Sequence, residues 1–129
     1  MKQLTVGDSF NGFLNSLKVR KDIKIMSDEE LYNYIFEVFL GDIVAYLSPY
    51  TLDRLEAEGI IDEDIYAMSK NLRNELLEMI NGPSWNIASV KSSDEWANTF
   101  EGLKKLDALV HKKWTEEEIS YLKNRFKLL

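Results

Sequence analysis

Apolar residues recur every three or four positions along almost the whole chain, and stop signals fall between the runs. That period predicts helices, and alternating strand patterns are scarce. The first predicted helix covers about Ser9 to Arg20, with Phe10, Phe13, Leu14 and Leu17 on one face. Ser27 and Glu30 have the spacing of a capping box and open a second, along which Leu31, Ile35, Val38, Phe39, Asp42 and Tyr46 share a side. Gly41 is the weak point expected within it. Ser48-Pro49 starts a third helix that ends near Gly59.

A fourth helix starts at Asp62, carries Ile65, Met68, Leu72, Leu76, Met79 and Ile80, and stops at Gly82-Pro83. Residues Ser84 to Ser93 read as a non-helical connection laid across the core by Trp85, Ile87 and Val90. A second box, Ser92 with Glu95, opens a helix through Trp96, Phe100, Leu103, Leu106 and Val110. The expectation is therefore an all-α fold, a compact single-domain bundle of five or six helices over residues 1–129.

The last segment opens on Trp114, Thr115, Glu116, Glu117 and Glu118, with Leu122 four residues on, and so resembles the first helix of Myb or SANT domains. The resemblance covers nine residues and implies a DNA-reading domain with two further helices, the last entering the major groove. Only seven residues follow Leu122. Capping accounts for the same residues: Thr115 and Glu118 have box spacing, acids sit at the positive end of the helix dipole, and Lys123, Arg125 and Lys127 sit near the negative end.

Composition narrows the chemistry. Without cysteine there is no disulfide, thiolate metal site or cysteine nucleophile, which suits a reducing cytoplasm, and the N-terminus lacks the apolar run of a secretory signal. His111 is the sole histidine, with Asp107 four residues earlier on the same face; such a pair is an ion pair unless a nucleophile stands beside it. The glycines are scattered and make no phosphate loop. Asp62 and Asp64 begin like a calcium loop, but Ala67 stands where glycine is needed and Tyr66 where a ligand is needed. Glu75 and Glu78 lack Glu-x-x-His partners. No catalytic group, cofactor or metal is expected.

Charge changes the picture most. From Asp28 to Asp64 eleven acids face Arg54 alone, a net of −10, whereas the rest of the chain sets 11 acids against 15 bases, a net of +4. The densest part runs from Thr51 to Tyr66 and contains Asp53, Glu56, Glu58, Asp62, Glu63 and Asp64, with Tyr50 and Tyr66 as anchors at its edge. These carboxylates are either a solvated face that keeps the protein soluble or a surface that steers a basic partner. Nucleic acid is disfavoured by sign. The functional expectation is a non-enzymatic acidic protein that masks a basic protein, most concretely a bacterial immunity or antitoxin-type inhibitor of a nuclease toxin. The alternative is a helical assembly or regulatory module that binds through an apolar groove, with a homodimer as one form.

Overall fold

The computed structural model describes residues 5–125. Helix accounts for 78% of them and no strand is present among them, so the chain is all-α as its periodicity predicts. Seven helices are described rather than five or six: α1 (Val6–Ser16), α2 (Asp28–Tyr46), α3 (Pro49–Ala57), α4 (Glu63–Met79), α5 (Ile87–Ser92), α6 (Asp94–Lys113) and α7 (Glu116–Arg125). A single 3-10 turn, Ile23–Ile25, interrupts the α1–α2 connection.

The extra helix is α5, in the segment expected to be irregular. Asn86 caps it by accepting from the Ser89 N–H at 2.8 Å, a signal hidden because the segment is too short to show a period. α6 correspondingly starts one residue later than the Ser92 box would have it. Its cap is Ser93, whose hydroxyl accepts from the Trp96 N–H, while the Ser92 hydroxyl donates back to the Ala88 carbonyl and Glu95 accepts from the Ser84 hydroxyl.

α1 begins before Ser9 because Thr5 and Asp8 cap it reciprocally, and it stops at Ser16, short of Arg20. The Thr115–Glu118 box of α7 forms as expected, with both bonds present. At Ser27 the hydroxyl accepts from the Glu30 N–H at 3.2 Å and donates to the Glu30 carboxylate at 3.1 Å.

α2 shows why local pattern and tertiary packing must be read together. Leu31, Ile35, Phe39, Ile43 and Leu47 are all buried and fall at a strict spacing of four. A regular helix has 3.6 residues per turn, so such a stripe would drift by about 40° per step. The turn widens instead: Asn33–Phe39 is π-helical, and the Leu40 N–H reaches back to the Ile35 carbonyl. The irregularity thus lies here and not at Gly41. It re-phases the helix, so that Val38, expected on the buried stripe, is 54% exposed, while Phe36 joins the core.

The end of α2 is closed by side chains from elsewhere. The hydroxyls of Ser48 and Thr51 donate to the Ala45 carbonyl, and Arg73 of α4 donates to that of Val44.

One buried apolar cluster runs from Val6 to Leu122. α1 packs on the second half of α2, on α3 and on α7; α4 packs on α6, and α5 on α6. At Gly7 a side-chain carbon would collide with the backbone carbonyl of Lys123, so the close approach of α1 and α7 requires glycine there. Aromatic rings form a continuous chain from the exposed Tyr32 into the interior: Tyr32, Phe36, Trp85, Trp96, Phe100, Phe39 and Tyr34 each lie 4.8–6.3 Å centroid to centroid from the next. Trp96 is fully buried and its indole N–H donates to the Ser84 carbonyl at 2.7 Å. Trp114 is half-buried; its indole N–H donates to the Ile60 carbonyl at 2.9 Å, tying the end of α6 to the turn before α4.

Candidate functional site

Two surfaces of opposite charge stand out. The first is the α3–α4 corner that carries the acidic residues. Glycine at position 59, with φ of 73°, ends α3, and Ile60 and Ile61 turn inward to bury in the core. Asp62 then caps α4 by accepting from the Ile65 N–H at 2.8 Å. This arrangement leaves Asp53, Glu56, Glu58, Asp62, Glu63 and Asp64 exposed, each on a backbone anchored from beneath.

Their surroundings differ. The Tyr66 hydroxyl donates to Asp53 at 2.6 Å across the two helices, and this bond, with burial and the Asp53 and Glu56 charges, pushes the Tyr66 phenol above its ordinary range. Arg54, the lone base of the segment, turns toward α1: it donates to the Ser9 hydroxyl at 3.1 Å and to the Tyr50 hydroxyl at 3.3 Å, with its guanidinium 5.4 Å from the Tyr50 ring centre. Asp62 and Asp64 share a shallow hollow of about 300 Å³ with Lys112 and Lys113 of α6, so that end of the segment is locally offset. Glu56, Glu58 and Glu63 have no hydrogen-bond or ion-pair partner for their carboxylates among the described residues.

The other acids of the −10 stretch lie elsewhere. Asp28, Glu29 and Glu30 sit on the first turn of α2, where Asp28 meets Lys91 at 3.6 Å, and the length of α2 puts them roughly 25 Å from its far end. The acidic region is continuous in sequence and divided in space. Asp42, in the middle, is partly buried, which raises its carboxyl above the ordinary value.

The second surface is built from residues that the sequence pattern did not single out as a site. A groove of about 910 Å³ opens between the α1–α2 connection and the α5–α6 pair. Its apolar lining comprises Leu17, Val19, Ile23, Val90, Ala97 and Phe100. Lys18, Arg20, Lys21, Lys24, Lys91 and Lys104 stand around it, against Asp94, Glu101 and Asp107. Arg20 is held by Asp22 at 2.6 Å, and Lys91 by the Met26 carbonyl at 3.0 Å and by Asp28. Lys18, Lys21, Lys24 and Lys104 have no such partner among the described residues. The run from Lys18 to Lys24, with four bases against Asp22, was the available sequence signal, but its opposite wall is some seventy residues away.

His111 places Nε2 2.9 Å from the Glu116 carboxylate and Nδ1 2.9 Å from the Asp107 backbone carbonyl, so it bridges α6 to α7. Among the described residues no three His, Asp or Glu side chains gather as metal ligands. No single described helix is long and apolar enough to cross a membrane. No family model, curated protein or solved structure matches the chain, so its functional reading rests on these two surfaces.

Proposed function

We propose that the protein is a non-enzymatic binding protein whose α3–α4 corner takes a basic protein partner. The most concrete form is a bacterial immunity or antitoxin-type inhibitor, acting in the cytoplasm, that covers the phosphate-binding site of a nuclease toxin. A nuclease site must be basic to hold phosphates, and an acidic protein can occupy it. The observation that carries this reading is the exposure of Glu56, Glu58 and Glu63, without partners among the described residues, on a corner fixed by the Asp62 cap and the Tyr66–Asp53 bond. Tyr50, 63% exposed, supplies an aromatic anchor at the edge.

The test begins with the partner captured from the native cell. It should be a basic nuclease, and added protein should abolish its activity. Replacing Glu56, Glu58 and Glu63 together by glutamine should slow association at least about tenfold at low salt, an effect that added salt reproduces in the parent protein. A partner without a basic surface, or unchanged rates in the triple variant, would remove the proposal.

The groove favours a second reading, an assembly or regulatory module that binds through an apolar channel, with a homodimer as one form. Sedimentation of the free protein separates the two, since the inhibitor is monomeric when free and the module self-associates or binds with little salt dependence.

A further inference from the structure

We infer that the groove between the α1–α2 connection and α5–α6 is a docking channel for an acidic amphipathic helix of a partner protein. The inference is independent of the acidic corner, with which the groove shares no residue.

Three features select this occupant. The first is shape. Asp94, Ala97, Phe100, Glu101, Lys104 and Asp107 line one side of the groove and follow a single face of α6, so the channel runs about 20 Å, the length of a helix of roughly 14 residues. Channels of this length accept the apolar stripe of a helix, whose anchors fall at i, i+3, i+4 and i+7. Ala97, small and exposed near one end of that face, leaves room for a large side chain.

The second is charge. Six bases and three acids border the groove of a protein whose net charge is −6, and four of the bases, Lys18, Lys21, Lys24 and Lys104, are not neutralised by any described residue. Of the three acids, Asp107 has its Oδ1 buried without a hydrogen-bond partner, 3.5 Å from His111 Nδ1. An occupant with carboxylates flanking its apolar stripe meets these lysines on both walls, because Lys18, Lys21 and Lys24 come from the α1–α2 connection and Lys104 from α6. A basic helix would meet them with the wrong sign.

The third is rigidity. Phe100 and Val90 line the groove from the core side, Phe100 backed by Trp96 and Phe39 at 5.8 Å. The opposite wall is anchored by the Arg20 N–H, which donates to the Tyr34 hydroxyl at 3.0 Å, and by the Lys91 ammonium, which donates to the Met26 carbonyl. A preformed channel spares an incoming helix the cost of ordering its receptor.

The probe is a fluorescein-labelled helical peptide of about 16 residues, with leucines at i, i+3, i+4 and i+7 and glutamates on both flanks, read by fluorescence anisotropy against the whole protein. The control peptide has lysine at every glutamate position. The acidic peptide should saturate one site, and the control should bind at least about tenfold more weakly. The pair Lys18→Glu and Lys104→Glu, both exposed, should keep the helical circular dichroism spectrum and reverse the preference. Ala97→Trp should block both peptides. The Glu56, Glu58 and Glu63 glutamine variant should bind the acidic peptide as the parent does, which separates this test from that of the acidic corner. Equal binding of both peptides, no change in the lysine variant, or stoichiometric uptake of laurate in place of the peptide would overturn the inference. So would a concentration-dependent dimer that Ala97→Trp dissolves, since the channel would then belong to a second copy.

Discussion

The acidic corner and the basic groove are built in opposite ways. The corner comes from one continuous stretch, Thr51 to Tyr66, whose apolar residues turn inward and whose carboxylates stand clear of the core. The groove comes from two stretches far apart in sequence, Leu17 to Lys24 and Val90 to Asp107, and most of its apolar lining belongs to the core itself. Exposed charge on such a corner can be changed without touching packing. The groove resists such separation, because Phe100 belongs both to it and to the aromatic chain.

This contrast yields graded expectations. The largest concerns Trp96, which is fully buried behind Phe100: replacement by alanine should cost about 3–5 kcal/mol in denaturant unfolding and widen the groove, lowering peptide affinity as well. A cost below about 1 kcal/mol would mean that the groove wall is not supported from behind. Gly7→Ala comes next. Its new methyl group would press on the Lys123 carbonyl, so α1 and α7 must separate, at about 1–3 kcal/mol, with both surfaces otherwise retained.

On the acidic side the effects are smaller. The triple glutamine variant at Glu56, Glu58 and Glu63 should unfold within about 0.5 kcal/mol of the parent, and a larger loss would show that the corner is structural rather than a separable surface.

Asp42 tests the same point through pH. Its folded carboxyl titrates above the ordinary value because burial disfavours the charge, so ionisation destabilises the fold. That penalty is absent below the unfolded value, grows as pH rises between the two values, and is complete above the folded one. Asp42→Asn should therefore raise the melting temperature at about pH 7, by less than about 1 kcal/mol in stability, and lose the advantage near pH 3. An advantage independent of pH would exclude this cause.

The smallest effect is optical: ultraviolet titration of the phenols should show Tyr66 ionising above the usual range, and Asp53→Asn should bring it down. A profile unchanged by that substitution would mean that the tie across the corner is not made in solution.

Much of this molecule was legible before the fold was known, because the deciding forces were local. The helical period, the caps at Ser48, Asp62 and Thr115, and the stop at Gly59 depend on residues a few positions apart, and each appears where the sequence puts it. The six carboxylates of the corner were also readable, since exposed charge on a short segment needs no distant partner.

What required the tertiary structure was whatever depends on contacts between distant segments. The widened turn in α2 brings Leu31, Ile35, Phe39, Ile43 and Leu47 into one stripe, and only packing against the other helices rewards that distortion. The acids of the −10 stretch separate because α2 carries one group away from the other. The groove exists because Lys18 to Lys24 and α6 meet across the core, a pairing that no periodicity encodes. Local hydrogen bonding wrote the helices and the acidic corner into the sequence; the burial of apolar surface among separated segments decided where a concave, oppositely charged surface would form.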